Sequence, residues 1–284
     1  MLAPLINISL FREFIEGDRL ILTPNHRLAA KITDAWAIAN RDDRRVWQAP
    51  RVFSIDHWLR FCWDELQDQN HDLVAGLGIV GQQQSRYYWE RAIKLNHPEL
   101  SSKYAKLADD TLSRLQQWNL AYPDVPSDSP AADYFKQWAQ SFDGLLHRNN
   151  LVTTAQSWHS IARGFEAGAL PIEDEVVLYG FQSIPPIQSN IINEASRQCT
   201  TIKTPISEAQ ASVLNVASPA EELRLAAHWA AQQLKINKDE RIGIIIPDLK
   251  DNLAAVARVI AEACQTEKIN PVVNISAGIS LSAT

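Results

Sequence analysis

A chain of 284 residues with 46% hydrophobic content can bury a sizeable core in one large or two modest domains. Its three cysteines, Cys62, Cys199 and Cys264, lie far apart with no CxxC spacing, which argues against a disulfide framework, a zinc site or an iron–sulfur cluster and fits a reducing cytoplasm. A net charge of −6 speaks against a broad nucleic-acid-coating surface but is compatible with a local basic strip.

The opening residues, MLAPLINISLFREF, lack the basic start and continuous apolar run of a signal peptide, and no stretch reaches transmembrane length, so no membrane partner is expected. Arg19-Leu-Ile-Leu-Thr-Pro24 reads as a strand, followed by a helix through Leu28, Ile32, Ala35 and Trp36. Val52-Phe-Ser opens a second strand–helix step, with Trp58, Leu59, Cys62, Trp63 and Leu66 on one helical face. From about 80 to 165 the periodicity is almost entirely helical, interrupted by the Pro-rich loop Tyr122 to Pro130. Glu175-Val-Val-Leu-Tyr179 is a buried-type strand, and Pro185 and Pro186 can open the helix that carries Ile187, Ile191 and Ile192. Val213 to Ala217, the helix from Pro219, Arg241 to Ile246 and the helix from about Asp251 to Cys264 continue the alternation. The final residues have strand character without a closing helix, the pattern expected of an N-terminal fragment.

The expected fold is therefore α/β, a parallel sheet with a large all-helical insertion and the start of a second α/β domain. The expected boundaries are 1–75 for the first part of the α/β domain and 76–168 for the helical insertion. Residues 169–212 return to the first domain, and 213–284 begin a second one.

Taken in order, these segments resemble the helicase-like half of AddB-type subunits of bacterial helicase/nuclease repair complexes, and related predicted DNA-repair proteins. The resemblance spans most of the chain and rests on several motifs that are each weak alone. Leu22-Thr-Pro-Asn-His-Arg-Leu-Ala29 is similar to the segment after the P-loop helix of superfamily-one helicases, where a Thr and an Asn touch single-stranded DNA. Arg51-Val-Phe-Ser-Ile-Asp-His-Trp58 resembles the next DNA-contacting motif, with Ser54 in the place of its Thr and Asp56 in the place of its His. Residues 217–227 and 241–249 resemble the start of the second motor domain. Val177-Leu-Tyr-Gly-Phe-Gln-Ser-Ile-Pro-Pro-Ile-Gln188 resembles the magnesium-binding strand, with Tyr179 and Gly180 in place of its two carboxylates and with Phe181, Gln182 and Gln188 retained. The resemblance implies a P-loop (RecA-like) fold.

Two departures point away from ATP hydrolysis. No G-x-x-x-x-G-K-[ST] loop precedes the first strand, and residues 1–18 contain one Gly and no Lys. The family's nuclease lies far beyond the helicase-like region. No catalytic residue, metal ligand or cofactor is thus assigned to this chain.

Other apparent motifs carry little. Gly76-Leu-Gly-Ile-Val-Gly81 fits G-x-G-x-x-G but follows Asp68 to Asp72 rather than a strand. Pro247-Asp-Leu-Lys250 mimics part of a PD-(D/E)xK nuclease without an upstream acidic partner. His57 with Cys62, and His71 with Asp72, lack the ligand count of a metal site. Of the nine tryptophans, Trp63, Trp89, Trp118 and Trp138 fall on apolar helix faces and are expected in the core, while Trp36 and Trp58 follow the two DNA-type motifs.

The DNA-binding candidates are Thr23, Asn25, His26, Arg27 and Ser54, with Lys31 and Arg51 as electrostatic support. Thr23 and Asn25 have a simpler use as caps of the helix near His26. Gln182 would organise its loop. The leading reading is a non-catalytic module of a cytoplasmic bacterial repair protein that holds or scans DNA, single-stranded or at a duplex end, for a nuclease elsewhere. The alternative is a scaffold whose helical block docks a helicase/nuclease partner subunit, and a third is a nucleotide enzyme with an unusual loop.

Overall fold

Three of the apolar runs become adjacent strands because each is flanked by helices that need a common surface to bury against. The computed structural model describes residues 6–41, 48–100, 103–203, 211–247 and 249–275, the side chains of 250 and 251 excepted. The chain divides into two compact units, Met1–Ile206 and Ser207–Thr284.

In the first unit, β1 (Leu20–Thr23), β2 (Val52–Ser54), β5 (Glu173–Tyr179) and β6 (Ser196–Ile202) form a parallel sheet of order β2-β1-β5-β6. A separate parallel pair joins β3 (Gly78–Ile79) to β4 (Leu151–Val152). The helices are α1 (Arg12–Glu16), α2 (His26–Ala39), α3 (Ile55–Asp68), α4 (Gln82–Asn96), α5 (Tyr104–Gln117), α6 (Pro130–Arg148), α7 (Thr154–Glu166) and α8 (Pro186–Ala195).

Side-chain alternation along the strands divides the burial between two faces. Leu20, Leu22, Val176 and Leu178 share a core with α3, α7 and α8, through Trp58, Trp63, Leu66, Trp158, Phe165 and Ile191. Ile21, Val52, Val177 and Tyr179 share another with Ala29 and Ile32 of α2 and with Phe11. The crossovers β1–α2–β2 and β5–α8–β6 run outward in opposite directions from the middle of the sheet. Right-handed connections then require α2 and α8 on opposite faces, as the two cores show.

The insertion has its own core, in which Trp89, Ala92 and Ile93 of α4 meet Ala108 and Leu112 of α5 and Phe135, Phe142 and Leu146 of α6. The β3–β4 pair closes its two ends. Here the boundary expected at 168 shifts, because α7 packs through Trp158, Ile161 and Phe165 in the core of the main sheet. Helical periodicity reveals a buried face but not which core receives it. The Gly76 to Gly81 segment holds β3 and the start of α4 rather than a phosphate-type turn between a sheet strand and its helix.

The amino edge of the sheet is charged. Arg51 makes two hydrogen bonds to the Glu173 carboxylate, one of 2.9 Å, and donates to the Asp18 carbonyl oxygen at 3.2 Å. Arg19 and Arg197 both reach Asp174 at 3.3 Å. Arg51 thus ties together the starts of β1, β2 and β5, which corrects its assignment as support for DNA binding. With the two side chains 35% and 19% exposed, the pair lies between a solvated and a buried ion pair. Arg51→Ala is expected to lower unfolding free energy by about 1–2 kcal/mol, checked by urea titration.

In the second unit, α9 (Pro219–Ile236) and α10 (Leu249–Thr266) pack through Ala227, Ala231, Val259 and Ala263. Both helices lie where the periodicity places them. The strands expected at 213–217 and 241–246 are not formed: neither segment joins a sheet, and Val213 and Ile245 are 91% and 95% exposed. A strand needs a neighbouring ladder, and among the described residues of this unit none is present. Half-buried Ile242, Ile244 and Ile246 still alternate with exposed Gly243 and Ile245. Of the Pro247 to Lys250 segment, Asp248 and the Lys250 side chain lie outside the described residues.

Candidate nucleic-acid interface at the carboxyl edge of the sheet

Since β2 and β6 lie on opposite sides of the β1–β5 pair, the chain reverses direction between β1 and β5. In open parallel sheets, ligands meet the carboxyl ends of the strands at such a point. The sequence places Thr23 at the end of β1 with Pro24 and Asn25 after it, Ser54 at the end of β2, and Gly180 to Pro185 after β5.

Thr23 is fully buried, and its hydroxyl faces the carbonyl oxygens of Asn25 at 3.0 Å and Phe53 at 3.3 Å. Its side chain fastens the β1–α2 turn to β2 and does not reach the surface. Asn25 caps α2, its Oδ1 accepting the Leu28 backbone N–H at 3.0 Å. His26 and Arg27 follow as exposed first-turn residues, and no acidic side chain occupies that turn. Lys31 lies one turn further on, 4.0 Å from Asp34. Ser54 is buried at the start of α3, while Asp56 and His57 are exposed in its first turn. Partial desolvation raises the Asp56 carboxyl above its ordinary range. His57 sits edge-on to Phe53, with ring centroids 5.6 Å apart.

The structure thus brings Asn25, His26, Arg27 and Ser54 to one edge and puts Arg51 at the other. Trp36 and Trp58 are both buried and offer no stacking platform, and Trp36 Nε1 has no hydrogen-bond partner in the core. Trp118, expected in the core, is 56% exposed. It follows α5 at the edge of the helical block, where its apolar stripe ends.

The two positions that resemble a magnesium-binding pair in sequence, Tyr179 and Gly180, carry no carboxylate. Tyr179 is buried with its ring edge-on to Phe11, 4.8 Å between centroids. Gly180 has φ +81°, and a Cβ there would lie 2.5 Å from Leu28 Cδ2 and 3.6 Å from Pro24 Cδ. Gly180 thus lies against α2 and the β1–α2 turn, and a Cβ there would have to move the end of the Leu28 side chain. Phe181 packs against the core containing α3 and α8, leaving Gln182 and Ser183 exposed beside the edge. Gln188 is buried in α8.

Sequence reasoning missed the partners of Arg51. The signal was the run Glu173-Asp-Glu175 at the start of β5, with Asp18 and Arg19 just before β1 and Arg51 just before β2. Cys62 offers no nucleophile, because burial pushes its thiol up to about 12. Among the described residues, no three His, Cys, Asp or Glu side chains group as metal ligands, and no helix is long and apolar enough to cross a membrane. No protein-family model matches the chain, and a search of characterised proteins returns no match.

Proposed function

We propose that this chain is a non-catalytic, P-loop-helicase-like module of a DNA repair or recombination protein, holding or scanning DNA for a nuclease elsewhere in the full-length polypeptide. The observation that carries this reading is the carboxyl edge. The N-termini of α2 and α3 lie on adjacent strands there, Asn25, His26 and Arg27 are exposed, and Tyr179 and Gly180, which resemble a magnesium-binding pair in sequence, carry no carboxylate. First-turn N–H groups and one guanidinium suit phosphate contacts, which hold a strand without reading its sequence.

A second reading, docking of a partner subunit on the helical block, draws support from Tyr87, Leu95, Leu107, Trp118 and Leu120, all exposed on that block.

Fluorescence anisotropy with single-stranded and duplex oligonucleotides tests the first reading. Binding is expected to weaken with salt, and Arg27→Ala to reduce affinity roughly threefold to tenfold while lowering the salt slope by about 1. Arg51→Ala should leave affinity per folded molecule unchanged, since that guanidinium lies at the opposite edge. A folded sample that binds neither form at low salt would move the weight to the docking scaffold.

A further inference from the structure

A groove in the first unit uses none of the carboxyl-edge residues just described. It encloses about 530 Å³ between the end of α5, the following turn Tyr122–Asp124, and the helices α7 and α8. That size falls within the range of about 300–1,000 Å³ for small-molecule sites. The walls are built from two kinds of group. Leu112, Leu120, Ala162 and Ile187 supply apolar contact, and the amides of Asn119 and Asn190 supply paired donors and acceptors, while Gln116 Oε1 already accepts the Thr153 hydroxyl at 2.8 Å. His159, Arg163 and Glu166 recur at helical spacing along the polar side of α7, opposite Trp158, Ile161 and Phe165.

We propose that this groove binds a nucleoside monophosphate, free or as the terminal unit of a strand. The chemistry of the lining selects that class. Arg163 and Glu166 make no ion pair with each other or with another described residue, so the guanidinium is available to a phosphate and the carboxylate to sugar hydroxyls. The two asparagine amides match the mixed donor and acceptor edge of a base, and the aliphatic side chains match its faces. A purely apolar ligand would leave the charged pair unused, and a bare anion would leave the apolar wall uncovered.

Partial desolvation lowers the His159 imidazole below its ordinary value. The inference goes beyond the DNA-holding reading and uses none of its residues.

Isothermal titration calorimetry of the whole chain with deoxyadenosine and thymidine monophosphates tests it. Saturable binding is expected, weakened about tenfold or more by Arg163→Ala and by Asn190→Ala, and unchanged by Arg27→Ala. All three positions are exposed, so folding is not at issue. Absence of saturable heat at millimolar nucleotide, or binding indifferent to both groove variants, overturns the proposal. A 5′-phosphorylated oligothymidine that displaces the monophosphate identifies strand ends as a source. Failure to displace identifies the free nucleotide, and either result keeps the site. Oligonucleotide binding lost in Arg27→Ala without any monophosphate binding would overturn the groove alone. Monophosphate binding without oligonucleotide binding would overturn the DNA-holding reading alone.

Discussion

Gly180→Ala is expected to lower the unfolding free energy by about 2–4 kcal/mol, read as a shifted urea midpoint at unchanged slope. Two effects add. At φ +81° an alanine adopts a left-handed backbone, which costs roughly 1–2 kcal/mol, and its Cβ must displace Leu28 Cδ2 from 2.5 Å, an overpacking cost of about 1–3 kcal/mol. Gly168 provides the control, because its φ is +71° but nothing lies within 4 Å of a Cβ there. Gly168→Ala should therefore show the backbone cost alone, and the difference between the variants measures the closeness of Gly180 to Leu28. Equal costs would mean that Leu28 yields freely. Placing carboxylates at both positions with Tyr179→Asp and Gly180→Glu should likewise weaken the fold, because any side chain at 180 meets the left-handed backbone and the Leu28 contact.

The central strands β1 and β5 were legible because parallel strands buried on both faces appear as short apolar runs, and the edge strand β2 was legible from Val52 and Phe53 leading into an amphipathic helix. Edge strand β6, Ser-Arg-Gln-Cys-Thr-Thr-Ile, carried no such signal because most of its side chains face water. The two-residue strands β3 and β4 are too short for any periodicity. Of the candidate site, Asn25 as a cap and His26 and Arg27 as first-turn residues follow from the strand–helix junction itself. Arg51 was misplaced because nearness in sequence to Ser54 stood in for nearness in space. Three residues along a strand span about 10 Å, enough to move from one edge of a short sheet to the other. The rule that residues at the starts of parallel strands share an edge would have paired Arg51 with Glu173. No comparable rule finds the groove, whose walls come from three separate segments and meet only after the insertion has packed on α7 and α8.

Trp89→Ala should be the most damaging single change in the insertion, at about 3–5 kcal/mol. Trp89 is fully buried, stacks on Phe142 at 4.1 Å between centroids and on Phe135 at 6.4 Å, and donates its indole N–H to Asp109 Oδ1 at 2.9 Å. Truncation opens a cavity at the meeting point of α4, α5 and α6 and leaves Asp109 Oδ1 with only the Ser85 hydroxyl at 2.8 Å. Trp89→Phe keeps most of the volume and loses the hydrogen bond, so it should cost less and separate the two contributions. The loss should also be local, because the insertion core and the cores on the sheet are distinct clusters. Hydrogen exchange is the measurement: amides of α4, α5 and α6 should lose protection in Trp89→Ala while those of β1 and β5 keep theirs. Loss across both would show that the β3–β4 pair and α7 couple the cores into one cooperative unit. If the damage stays local, it distinguishes the two sites functionally. The carboxyl edge, built on β1, β2 and β5, should keep its oligonucleotide affinity. The groove, which takes Leu112 and Gln116 from α5, should lose its nucleotide.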